Sequence, residues 1–285
     1  MSIDTYLLAP EGIRIALPVA GPENGAPVLF FHGGGQTRHA WGKTVEALGA
    51  RGWRAIAADL RGHGDSGRAA RYETSDFAAD VRALALDQST PPVIVGASLG
   101  GMASLLANAS AGDGAEEMAG EVSRALVLVD IAPRTNAGGV QRILDFMSAH
   151  TSGFASLEDA ASAVAAYQPQ RSQRADASGL KKNLRLREDG RWYWHWDPAL
   201  LKQFRGVRQR EEQAEPLYRA AEQLTQPVML LRGGVSDVVD DEVIDEFRTR
   251  IPRAIVRSVG GAGHMVAGDR NDIFNEALIE FLEGL

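Results

Sequence analysis

The apolar run Val93-Ile94-Val95 passes directly into Gly96-Ala97-Ser98-Leu99-Gly100, and a helix-like segment follows. A G-x-S-x-G pattern between strand and helix holds a serine on a sharp turn and lifts its Oγ clear of the sheet. Glycines flank the serine because side chains there would meet the neighbouring strand and helix. The turn also places Ser98 at a helix N-terminus, where N–H groups favour developing negative charge. A serine hydroxyl is a weak nucleophile at neutral pH and needs a base. The usual base is a histidine held in one tautomer by a buried carboxylate.

Six histidines are available. His264 stands out because it ends the glycine-rich stretch Gly260-Gly261-Ala262-Gly263, between the last apparent strand and the last helix. A loop leaving that strand end faces the same sheet edge as Ser98. For the carboxylate, Asp237 follows the buried run Val228-Met229-Leu230-Leu231 and is preferred, with Asp240 or Asp241 left to cap the next helix. Asp130, which follows Leu126-Val127-Leu128-Val129, is its rival. Acyl chemistry also needs N–H donors for an oxyanion. One is expected at Leu99, next to the serine. The other is assigned to Gly34 in His32-Gly33-Gly34-Gly35, with Gly35 as its near alternative. His32 is expected to brace that loop.

These groups must be carried by alternating elements. Strands are expected at 13–19, 28–31, 54–58, 93–97, 124–130, 228–231 and 254–259. Helices are expected at 40–51, 76–86, 99–109, 241–250 and 273–282, the second of them N-capped by Ser75. Strands alternating with helices imply a mostly parallel sheet covered on both faces. Residues 133–216 break the alternation with a polar, helix-prone stretch. They are read as a helical lid inserted into a core formed by 1–132 and 217–285. Three of the five tryptophans, Trp192, Trp194 and Trp196, fall within this insert and are expected near the substrate pocket.

With 285 residues, 45% of them apolar, the chain suits one large α/β domain with an insertion. A net charge of −7 with no basic block argues against a nucleic-acid partner. The absence of cysteine excludes a thiolate nucleophile, a disulfide or a thiolate metal site. No carboxylate–histidine cluster has ligand spacing, so no metal is expected. No phosphate loop or dinucleotide fingerprint is present, so no cofactor is expected. The N-terminus lacks a secretory pattern and no run is long enough to span a bilayer, so a cytoplasmic location without membrane contact is expected. The expected partner is a small-molecule substrate, and self-association is left open.

Taken together, His32-Gly33, the turn Asp59-Leu60-Arg61-Gly62-His63-Gly64-Asp65-Ser66, the Ser98 elbow, and the Asp237 and His264 loops resemble the α/β-hydrolase superfamily. The order serine, aspartate, histidine is that of this fold. Within it the chain looks most like the branch of epoxide hydrolases, cofactor-free haloperoxidases and small esterases. The resemblance implies an α/β-hydrolase fold and a serine hydrolase acting on a carboxylic ester, lactone or thioester. It also implies that Asp59, Arg61, His63 and Asp65 are structural. Epoxide hydrolases carry an aspartate at the elbow, whereas this chain has Ser98, which favours acyl over alkyl chemistry. Perhydrolysis or carbon–carbon cleavage by the same triad is the alternative, and a non-catalytic binding protein is a further one.

Overall fold

The computed structural model describes residues 6–109, 122–168, 177–203, 207–264, 266 and 271–285, with backbone alone at 203 and 207–213. Its centre is a seven-stranded sheet. The strands are β3 (Val19–Ala20), β4 (Pro27–Phe31), β5 (Arg54–Ala58), β6 (Val93–Ala97), β7 (Ala125–Val129), β10 (Val228–Gly233) and β11 (Ile255–Val259). They lie in the order β11-β10-β7-β6-β4-β5-β3, all parallel except the edge strand β3. The stretch expected as one strand at 13–19 is divided. Its first part, β2 (Arg14–Ala16), pairs with β1 (Tyr6–Leu8) in a separate hairpin, and only β3 joins the main sheet.

Alternation along each strand builds two cores, as a period of two requires. Val28, Phe30, Val93, Val95, Ala125, Val127 and Val129 face α1 (Gly42–Gly49) and the C-terminal helix Asn271–Glu283. Leu29, Phe31, Ile94, Leu126 and Leu128 face α2 (Thr74–Leu86) and α3 (Leu99–Asn108) on the other side. Helix α2 begins two residues earlier than expected. Glu73, not Ser75, is its N-cap, in a reciprocal capping box with Asp76.

Between β7 and β10 the chain forms α4 (Ala137–Ala149), α5 (Leu157–Tyr167), an antiparallel pair β8 (Leu184–Leu186) and β9 (Trp192–Trp194), the short turn α6 (Leu200–Gln203) and α7 (Val207–Glu222). Helix α7 runs through residue 216, so the boundary expected there falls inside a helix that contains Pro216. The C-terminal part of α7 sends Leu217, Tyr218 and Ala221 into the main core. The segment is sewn to the turn at 59–67 by backbone bonds. Gly64 N–H donates to His195 O (2.7 Å), Asp197 N–H donates to Gly62 O (2.8 Å), and His63 forms a β-bridge with Trp196. No helix among the described residues is long and apolar enough to cross a membrane.

Candidate active site

Ser98 lies between β6 and α3 with φ 45° and ψ −116°, a conformation side chains rarely adopt. The turn is possible because Gly96 and Gly100, two residues to either side, have no side chains. A Cβ on Gly100 would sit 2.5 Å from the carbonyl oxygen of Phe31. The Ser98 N–H donates to Val129 O (3.3 Å) and the Asp130 N–H to Leu231 O (2.8 Å), so the ends of β6, β7 and β10 are tied in sequence.

The histidine is held from β7. Asp130 Oδ2 accepts from His264 Nδ1 at 2.7 Å. Asp130 is fully buried, with a positive φ of 49°. Its Oδ1 accepts from Gly233 N–H (2.8 Å), and its Oδ2 also accepts from Ser236 Oγ (2.5 Å). Three donors around one buried carboxylate fix its direction. This hydrogen bond leaves His264 Nδ1 protonated and Nε2 free to act as the base. Gly233 makes the approach possible. A Cβ there would lie 2.2 Å from Gly263 O, so only glycine lets the His264 loop cross the end of β10 and reach Asp130.

The structure does not bring Asp237, the expected acid, to His264; Asp130, its rival, stands there instead. Asp237 has a side chain 39% exposed and pairs with Arg142 of α4, whereas Asp130 is 0% exposed against His264. Asp240 does cap the following helix, α8 (Asp241–Arg250), accepting from Val243 N–H at 3.0 Å. From this loop it is Ser236 that turns inward to the Asp130 carboxylate, while Asp237 turns outward to Arg142. The sequence clue was present in the second aspartate at a buried strand end. What decides between the two is which strand lies beside β6.

Ser98 and His264 line one cavity of about 680 Å³, with Gly33, Gly34, Gly35 and Leu99 at the same place. The Ser98 hydroxyl makes no hydrogen bond to a described residue, and such bonds are often long before substrate binds. The glycine loop is held by two buried histidines. Leu60 N–H donates to His32 Nε2 (3.0 Å) and His32 Nδ1 donates to Gly33 O (2.8 Å). Gly35 N–H donates to His63 Nε2 (3.1 Å) and His63 Nδ1 donates to Arg61 O (3.0 Å). Burial pushes both imidazoles down, His32 to about 4 and His63 to about 3, so they serve as neutral braces. Gly35 N–H is committed to His63, while Gly34 lines the cavity together with Leu99 at the start of α3. Asp59 and Arg61 are buried structural groups. Asp59 accepts from Arg38 and Asp65 N–H, and Arg61 forms a two-pronged bond to Asp80 (2.6 and 2.7 Å).

The three tryptophans divide. Trp194 and Trp196 line the cavity. Trp192 does not. Its backbone pairs with Phe154, and its ring packs on the small cluster of Phe154, Ala160 and Leu184. Alternate residues on one face of β9 and its extension thus step from that cluster to the cavity and then into the main core. The rest of the cavity, which the sequence reading did not identify, comes mainly from Met102 and Leu106 of α3 and from Val140, Ile143, Leu144 and Met147 of α4. Among the described residues, no group of three or more histidines and carboxylates is arranged to hold a metal ion.

The family model described as the alpha/beta hydrolase family matches residues 28–277. The esterase Rv0045c of Mycobacterium tuberculosis is 30% identical over 273 residues, covering 90% of this chain and 82% of that protein. The 2-(acetamidomethylene)succinate hydrolase of Mesorhizobium japonicum is 27% identical over 279 residues, covering 95% and 92%. A crystal structure of E-2-(acetamidomethylene)succinate hydrolase superposes with a TM-score of 0.82 at 22% identity, covering 98% of this chain and all of that one. The crystal structure of Rv0045c gives 0.72 at 25% identity, covering 98% and 90%. This chain is a hydrolase and belongs to the alpha/beta hydrolase family.

Proposed function

We propose that this protein is a serine hydrolase that cleaves a carboxylic ester, a lactone or thioester being handled by the same steps. Ser98 Oγ attacks the carbonyl carbon while His264 Nε2 takes its proton. Asp130 stabilises the resulting imidazolium and keeps its Nδ1–H directed inward. The tetrahedral oxyanion accepts from the N–H groups of Gly34 and Leu99. Collapse breaks the bond to the leaving oxygen, which receives the proton from His264. A water then gives its proton to His264 and attacks the acyl-enzyme, releasing the carboxylic acid and free Ser98. The segment between β7 and β10 acts as the lid, its α4 wall limiting water at the reacting carbonyl.

The observation that carries this reading is the 2.7 Å bond from Asp130 to His264, made at the cavity that Ser98 lines on its strained turn. The esterase relative adds support. The test is turnover of p-nitrophenyl butanoate by wild type and Ser98→Ala. Loss of at least about 10³-fold in kcat with an unchanged fold is expected. Near wild-type turnover by the variant would remove Ser98 from the mechanism.

A further inference from the structure

The turn at 233–236, which ends β10, meets both members of the acid–base pair. It closes on itself through Ser236 N–H and Gly233 O (3.0 Å). Toward the base, Gly234 N–H donates to Val259 O (2.8 Å) and Val235 N–H to Ala262 O (3.0 Å). These bonds hold the end of β11 and the loop that carries His264. Toward the acid, Gly233 N–H donates to Asp130 Oδ1 (2.8 Å) and Ser236 Oγ to Asp130 Oδ2 (2.5 Å). One turn thus grips both oxygens of the carboxylate. Of these four donors, Ser236 Oγ alone is a side chain.

The Ser236 hydroxyl is itself fixed. Its oxygen accepts from the N–H groups of Val238 (3.1 Å) and Val239 (3.2 Å). A hydroxyl has two acceptor sites and one proton. With both sites filled, the proton goes to Asp130 Oδ2, the oxygen that also receives His264 Nδ1–H (2.7 Å). Asp130 is fully buried, so its oxygens depend on protein donors. On the reading that His264 and Asp130 serve Ser98 as nucleophile, we propose that Ser236 is a positioning residue of this site. Its hydroxyl holds the plane of the Asp130 carboxylate and, through it, the orientation of the His264 ring. Without that hydroxyl, Oδ2 would be held only by His264, the group it has to position. Ser236 does not line the substrate cavity, so its effect falls on the chemical step and not on substrate binding.

The test measures kcat and KM of the full chain on p-nitrophenyl butanoate. Ser236→Ala should lose roughly tenfold in kcat, with KM within about twofold of wild type. Ser236→Thr, which keeps the hydroxyl, should recover most of that loss. In the Asp130→Asn background the alanine should cost less than about twofold, because its route runs through a carboxylate already removed. Thermal melts verify folding. If the alanine variant does not fold, Ser236→Cys takes its place, its thiol being a weaker donor, and should also lose kcat. The proposal is overturned if the folded variant keeps wild-type kcat, or if KM rises in place of a fall in kcat. It is equally overturned if folded Ser236→Thr is no better than Ser236→Ala, or if the alanine costs as much beside Asp130→Asn as alone. Labelling by a fluorophosphonate separates this failure from that of the serine-hydrolase reading. Wild type labelled on Ser98, with Ser236→Ala unimpaired, overturns the proposal alone. Wild type neither labelled nor active on esters overturns both.

Discussion

Replacing Asp130 by asparagine should cost about 10³- to 10⁴-fold in kcat/KM, and the size follows from three hydrogen bonds. In the native site Oδ1 receives the Gly233 N–H, while Oδ2 receives Ser236 Oγ and His264 Nδ1. An asparagine has one acceptor oxygen, and the Gly233 N–H holds it in the Oδ1 position. The NH₂ then occupies the place of Oδ2 and faces His264 Nδ1 as a donor. To accept from it, the imidazole must carry its proton on Nε2, so the nitrogen meant to take the Ser98 proton is already protonated. Volume and shape are conserved, so the loss is chemical, corresponding to about 4–5 kcal/mol of barrier. The assay is kcat/KM on p-nitrophenyl butanoate, with thermal melts to verify folding. The control is Asp237→Asn, which loses only a solvent-exposed pair with Arg142 and should stay within about threefold of wild type. An Asp237→Asn variant more damaged than Asp130→Asn would refute the assignment.

The two buried histidines make stability fall on mild acidification. Both titrate near 6.5 when unfolded and well below when folded, so from about pH 6.5 downward the unfolded chain takes up protons that the native chain refuses. Between pH 7 and 5.5 the pair should cost about 2 kcal/mol, read as a lower urea midpoint, and equal midpoints would contradict it. His63→Ala removes the acceptor for Gly35 N–H and frees the oxyanion loop, so kcat should drop roughly tenfold with little change in KM, and His63→Gln should recover part of it. An unchanged kcat would place His63 outside the positioning of the site. Trp194→Ala and Trp196→Ala should alter the ratio of kcat/KM between decanoate and butanoate esters. Trp192→Ala should leave that ratio alone and cost about 2 kcal/mol of stability, because its ring packs within the lid.

The parts of the site that the sequence made legible are those dictated by local backbone geometry. A buried run broken by Gly96-Ala97-Ser98-Leu99-Gly100 can turn in few ways, and the glycines at 33–35 mark a loop the substrate must approach. The acid was not legible in the same way. Asp130 and Asp237 both follow buried strands, and choosing between them requires the strand order, in which β7 and not β10 adjoins β6. It also requires knowing that Gly233 lets the His264 loop pass over β10, a contact between residues about thirty positions apart. The alternation Trp192, Trp194, Trp196 carried a strand signal of period two, but strands of three residues are too short to stand out in a polar segment. The N-cap of α2 moved from Ser75 to Glu73 because the reciprocal pair with Asp76 satisfies two backbone donors at once.

The most direct test of the account is the mass of the enzyme during turnover. Wild-type protein quenched within milliseconds of mixing with p-nitrophenyl butanoate, then digested, should carry one butanoyl group on the peptide containing Ser98. The same experiment on Asp130→Asn should show that adduct forming far more slowly. Rapid ester turnover with the Ser98 peptide unmodified, or an acyl group found on another residue, would contradict the account.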